Sequence, residues 1–199
     1  MIAQAVGGAF AITDDARWLN ALRVTLTITF TSLLAEFVLG MIFALVMNQS
    51  FKGRALVRAS VLIPWSLTTV VSARMWQVIY HASYGVFNRI LVDIGLIDAY
   101  KPWIISPVFT IWAMIGADVW KTTPFVALLL TAGMQMIPAE LYEAAAIDGA
   151  TAWDRFWRIT FPLLRPTLLV ALLFRMIDVF RMLDLPFVLT GGGPGQATE

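Results

Sequence analysis

The chain has 199 residues, 59% hydrophobic and only 14% charged, an apolar share too high for an ordinary soluble domain, so a membrane protein is expected. No cysteine and a single histidine exclude a disulfide framework, cysteine-based metal sites and a histidine-rich metal cluster, and no cofactor is expected. A formal net charge of +1 offers no overall field to a nucleic-acid partner, and the placement of the charges matters more than their sum.

In chain order, residues 1–18 are read as an extracytoplasmic segment, too short to span a bilayer and lacking the basic start of a secretory signal. Residues 19–190 form the membrane domain. It has four segments of the roughly 20 apolar residues that a spanning helix needs: 19–47, 56–80, 107–137 and 163–190. Between the first two, Lys52, Arg54 and Arg58 sit in a short loop without an acid, which the positive-inside rule places in the cytoplasm. By parity the loop from His81 to Ser106 lies outside, where Arg89 and Lys101 are matched by Asp93 and Asp98. Loop 138–162 returns to the cytoplasm with Arg155 and Arg158. Residues 191–199 are then an outer loop rich in glycine. The fold class is an all-α polytopic transmembrane bundle.

Loop 138–162 reads as a helical hairpin. Pro138 suits a first helical turn, Glu140 and Glu143 lie near the positive end of the helix dipole, and Leu141 with Ala144, Ala145 and Ala146 favours helix. Gly149 supplies the left-handed residue that ends it. Thr151 with Asp154 makes a capping box for a second helix whose apolar side is Trp153, Phe156 and Trp157. Phe161-Pro162 is expected to stop that helix before the last span. The alternative reading of this loop is an interfacial amphipathic hairpin anchored by Trp153 and Trp157.

The run Glu143-Ala144-Ala145, three residues, Gly149, nine residues, then Ile159-Thr160-Phe161-Pro162 resembles the cytoplasmic signature of the membrane subunits of binding-protein-dependent ATP-binding-cassette importers, with Phe161 where the family has Leu. The resemblance extends from Trp18 onward, and Leu185-Pro186-Phe187-Val188-Leu189-Thr190-Gly191-Gly192-Gly193-Pro194-Gly195 resembles the sugar-transporting, maltose-type class. It implies a type I importer permease in the bacterial plasma membrane, and a chain that covers the middle four of about six helices, whether as a fragment or as a truncated reading frame. It also implies partners: ATPase subunits, a homologous second permease, an extracytoplasmic solute-binding protein and a sugar substrate. Glu143, Ala144, Ala145 and Gly149 would contact the ATPase, while Ile159 and Pro162 would set the return into the membrane. No Gly-x-x-x-x-Gly-Lys-Ser/Thr occurs, so the chain is not expected to be an enzyme and ATP hydrolysis falls to a partner.

Charges within the expected spans are the other informative set, because each costs about 2.5 to 3.5 kcal/mol to insert unless it meets a partner or a cavity. Glu36, Arg74, Asp118, Lys121, Arg175, Asp178, Arg181 and Asp184 qualify. The last four recur every third residue with alternating sign and are expected to pair along one stripe. Asp118 and Lys121 share a helix face, with Thr122 one turn beyond Asp118. By resemblance to the pathway-lining helix of maltose-type permeases, Asp118, Lys121, Thr122 and Phe125 are the candidate substrate residues, although the family has uncharged residues where this chain has Asp118 and Lys121. A secondary transporter driven by an ion through Asp118 or Asp178 is the alternative, and it would carry inverted repeats, which the sequence does not display. His81, Ser83 and Asp93 lie on one outer loop without a nucleophile motif and do not make a hydrolytic triad.

Overall fold

A computed structural model describes residues 16–191, which are helical with no strand among them. Residues 1–15 and 192–199, and with them most of both expected terminal segments and the Gly192 to Gly195 run, lie outside the described residues. The helices are α1 (Ala16–Asn48), α2 (Arg54–Ser66), α3 (Thr69–Ile79), α4 (Val86–Asp93), α5 (Pro107–Gln135), α6 (Ala139–Ile147), α7 (Ala152–Arg155), α8 (Phe161–Phe180) and α9 (Asp184–Thr190). They gather into two compact units, one from residues 16–32, 68–118 and 179–191, the other from Leu33–Leu67 and Val119–Asp178.

Among the described residues, α1 and α5 are the two helices long and apolar enough to cross a membrane unaided. They fall on the first and third expected spans. The second expected span, 56–80, is instead the bent pair α2 and α3, which turns by 94° and passes the same test only when taken together. Leu67 and Thr68 are both extended, the Ser66 hydroxyl donates to the Ile63 carbonyl, and Pro64 withholds an amide from the final turn. The fourth expected span, 163–190, is also interrupted. α8 ends at Phe180, the Met182 amide turns back to Val179, and α9 begins at Asp184. Pro186 explains the restart: inside one continuous helix its ring would strike the carbonyl of Met182, whereas in the first turn of α9 its missing amide costs nothing.

Within the first unit, α9 packs along α3 around Ala73, Ala117 and Leu185, flanked by Trp76, Met182 and Val188. The connection from α3 to α5 is organised by Asn88, which is fully buried. Its amide donates to the carbonyls of His81 (3.3 Å) and Lys101 (2.9 Å), and its oxygen accepts from the Lys101 amide (3.0 Å) and the Trp103 indole (2.7 Å). A chain of ring contacts from Trp76 through Tyr80, Phe87 and Trp103 to Phe109 fills the space around it.

The second unit is built on Ala44, Val126, Leu130, Met134 and Leu164, with Phe37, Met41, Leu45, Ile137 and Leu168 around them. Small residues let its helices approach closely, as in other membrane bundles. A methyl group added at Gly40 would lie 2.8 Å from Val126 Cγ1, and one at Gly133 would lie 2.6 Å from Thr167 Oγ1. Arg58 of α2 donates to the carbonyl of Met47 at 2.9 Å, which places a cation at the negative end of α1.

Candidate functional site

Loop 138–162 is the expected hairpin, with one correction at each end. Pro138 precedes α6 as its N-cap instead of lying in its first turn. α6 then closes on Gly149 at φ 79°, where the Ala150 amide reaches the Ala145 carbonyl (2.9 Å) and the Gly149 amide that of Ala146 (3.1 Å). This is the paired geometry of a glycine-terminated helix. Thr151 and Asp154 make the capping box of α7: the Thr151 hydroxyl accepts from the Asp154 amide, and the Asp154 carboxylate accepts from the Thr151 amide, each at 3.2 Å. The bonds from Thr151 hold the Asp154 carboxyl below its usual pKa, opposed by slight desolvation and aided by Arg158.

Phe161-Pro162 does not stop the second arm. Residues Phe156–Thr160 form a π turn that leads directly into α8, with the Phe161 amide donating to Phe156, five residues back. The chain stays helical through Pro162, the second residue of α8. The two arms are tied at the base by Tyr142 and Thr160, whose hydroxyls lie 2.9 Å apart. Glu143, Ala144 and Gly149 are exposed, whereas Ala145, Ile159 and Pro162 are half-buried. Ile147, which carried no signal in the motif, is 87% exposed beside the glycine turn and presents the largest open apolar side chain of α6.

The buried polar centre of the second unit was not legible as a group. Glu36 on α1 and Arg175 on α8 form a two-pronged pair, Nε to Oε2 and Nη2 to Oε1 at 2.7 Å each, and Thr122 on α5 donates to Oε1 at 2.8 Å. The two charged side chains are 0% and 4% exposed. Such a pair is tolerated in a dry interior only with this quality of geometry.

Residues 36–198 match the family described as binding-protein-dependent transport system inner membrane component. The chain belongs to that family. The trehalose/maltose transport system permease protein MalF of Thermococcus litoralis is 52% identical over 175 residues, covering 88% of this chain and 59% of that protein. The trehalose transport system permease protein SugA of Mycobacterium tuberculosis is 41% identical over 188 residues, covering 94% and 59%. A crystal structure of a bacterial ABC transporter that imports the acidic polysaccharide alginate superposes with a TM-score of 0.81 at 28% identity, over 92% of this chain and 64% of that one. The chain thus spans about 59% of the length of the curated relatives it matches. Its fold is that of the type I importer membrane subunit.

In this family member the expected stripe of alternating charges is not one stripe. Arg175 shares the buried side of α8 with Leu164 and Ala171, and its short contacts go to Glu36. Asp178 is 66% exposed and reaches Arg175 Nη1 only at 3.5 Å. Arg181 and Asp184 fall past the end of α8 and are exposed, with no ion pair among the described residues. The helix break at Arg181 to Leu183 removes the periodicity on which the expected pairing depended.

The candidate pathway residues likewise separate. Thr122 serves Glu36, Asp118 is buried, and Lys121 is half-buried on the same helix. Phe125 stacks on Trp65 of α2 with ring centroids 6.1 Å apart and planes at 19°. Glu36 is the one acidic residue of α1, whose other charges are Arg17 and Arg23 near its start.

Proposed function

We propose that this chain is the pathway-forming part of a membrane permease that imports a sugar, delivered by an extracytoplasmic binding protein and driven by separate ATPase subunits beside a homologous second permease. Trehalose and maltose are the first candidates, because permeases that share 52% and 41% of the residues carry those sugars in their names. The observation that carries the reading is the hairpin. Its glycine turn, small alanines and exposed Ile147 form a short, rigid knob suited to a groove on another protein. Its second arm runs through the π turn into α8, which at 20 residues is long enough for a bilayer and whose buried cation is already paired. Four crossings, with α2 and α3 as one bent span, remain the proposed topology.

Closure of two ATPase subunits on nucleotide would move the hairpin and, through the uninterrupted second arm, the membrane helices, exposing the pathway to each side in turn. A cycle of this kind needs two arrangements whose balance both nucleotide and sugar shift. The test is mild solubilisation of the complete protein followed by reconstitution. Co-purification of a P-loop ATPase, with uptake of trehalose or maltose that requires both ATP and binding protein, is expected. Uptake that continues without nucleotide and collapses with an ion gradient would establish the secondary-transport alternative.

A further inference from the structure

A groove of about 670 Å³ lies between the end of α1 and the second arm of the hairpin, all within the second unit. On α1 its wall is Phe37, Met41, Leu45 and Gln49, so it follows that helix for about 18 Å. That is the depth of one leaflet, between about 15 Å for half the hydrocarbon core and about 21 Å with the headgroups included. Opposite stand Trp153, Trp157 and Phe161, where the hairpin meets α8, and Leu168 about two turns further along that helix. Val38 and Ile42, which also face the groove, are 53% and 51% exposed, so nothing in the described chain covers them.

The groove has a polar end and an apolar end. Gln49 leads into the loop that carries Lys52, and indole rings such as those of Trp153 and Trp157 favour the boundary between headgroups and acyl chains. Phe37, Met41 and Leu168 lie further along their helices, away from that loop. The charge at the polar end is cationic. Arg165 turns back over the Phe161 ring, 5.9 Å from its centroid, as a basic side chain does when it reaches from the apolar layer to the interface. Arg158 is 82% exposed and meets Asp154 only at 3.9 Å, while that carboxylate already accepts from Thr151. A covering helix from another protein would call for apolar walls alone, whereas a slot one leaflet deep with cations at its polar end fits a lipid that carries a phosphate.

We infer that this groove is a binding site for an anionic phospholipid of the cytoplasmic leaflet: its acyl chains lie along Phe37 to Leu45 and against Leu168, and Arg165 holds its phosphate while Lys52 and Arg158 add to the positive field. Basic pockets between membrane helices on the cytoplasmic side take such headgroups, and the planar fork of a guanidinium matches a phosphate. The lipid touches both α1 and the arm that carries the hairpin into α8, so it would brace the hairpin against the first span. The assignment needs the cytoplasmic placement of the hairpin but holds whatever solute the protein carries.

The experiment uses the complete protein in nanodiscs of phosphatidylcholine with a minor share of phosphatidylglycerol. After mild detergent extraction, native mass spectrometry should find phosphatidylglycerol retained in preference to phosphatidylcholine. Arg165→Gln is expected to retain about fivefold less, as loss of one basic contact at a membrane surface would give, while Arg165→Lys keeps most of it. Arg181→Gln, at an exposed cation just beyond the other end of α8, should match the parent. Ile42→Trp, which narrows the slot from its exposed wall and leaves every cation in place, should also lose the lipid. Equal retention of the two lipids by the parent, or parental retention in either Arg165→Gln or Ile42→Trp, overturns the assignment. So does a cross-link from Ile42→Cys, in the complete complex, to another helix of the chain or of a second subunit, because protein would then cover the groove.

Discussion

Arg175 grips Glu36 with two hydrogen bonds of 2.7 Å each, joining helices 139 residues apart in sequence inside a core that excludes both side chains from solvent. Removing one charge strands the other, which in buried pairs costs about 3 to 5 kcal/mol, whereas replacing both by apolar residues of similar size is close to neutral. Glu36→Gln and Arg175→Met are therefore each expected to lower the yield and thermal stability of the purified protein sharply. Glu36→Met combined with Arg175→Met should recover most of the loss. Asp178→Asn, at an exposed carboxylate 3.5 Å from Arg175, should change stability little. A thermal-shift series on these four variants decides the matter, and the pairing is refuted if either buried single variant melts at the parental temperature.

Gly149 governs the hairpin through its backbone alone. A Cβ there would meet nothing within 4 Å, but φ 79° lies where a side chain costs about 1 to 2 kcal/mol. Gly149→Val should insert into the membrane normally and lose substrate-stimulated ATP hydrolysis in the reconstituted complex, while Gly149→Asn, which tolerates the left-handed region, should keep much of it. Undiminished stimulation in Gly149→Val would reduce the hairpin to an interfacial anchor.

Local chemistry was legible in the sequence wherever it acts over a few residues. Gly149, the Thr151–Asp154 box and the approximate limits of α1 and α5 all follow from spacing and propensity. What was not legible depends on partners distant in the chain or on competition within a turn. Arg175 had a carboxylate three residues away in sequence, yet it is the buried side of α8 that decides its partner, and that side faces Glu36. Pro162 carries a stop signal on a propensity scale, but the chain passes from a π turn into α8 without a break there. The break after Ser66 leaves the apolar run from Leu56 to Tyr80 unchanged, so length and hydropathy alone give one straight helix there. Pro64 and Pro186 mark both interruptions once it is asked which carbonyl each ring would strike.

The capping box makes the second arm of the hairpin sensitive to acid. Because the folded pKa of Asp154 is depressed, its contribution is fully present above the unfolded carboxyl value and is lost as pH falls through the lower folded value. Amide exchange in α7, corrected for the intrinsic effect of pH, should therefore speed up in that acidic window. Asp154→Asn should show the faster exchange already at neutral pH and no further step. An identical pH dependence in the parent and in Asp154→Asn would mean that the carboxylate does not support the cap.

Asn88 holds the connection between α3 and α5 by four hydrogen bonds, and no other residue type offers a buried amide of that size with two donors and an acceptor oxygen on one plane. Asn88→Leu would fill the volume but abandon the carbonyls of His81 and Lys101, the Lys101 amide and the Trp103 indole, each at a penalty of about 1 to 3 kcal/mol if it stays buried. The connection would escape that penalty by opening to water. Residues 94–106 should then become accessible to protease in intact vesicles, from the side opposite the hairpin, while α1 and α5 remain protected. Asn88→Asp retains the acceptor and loses the donors, so it should open the segment partially, and more at neutral than at acidic pH, where the protonated acid regains one donor. Equal protease resistance of Asn88→Leu and the parent would show that the ring contacts from Trp76 to Phe109 suffice to hold this connection closed.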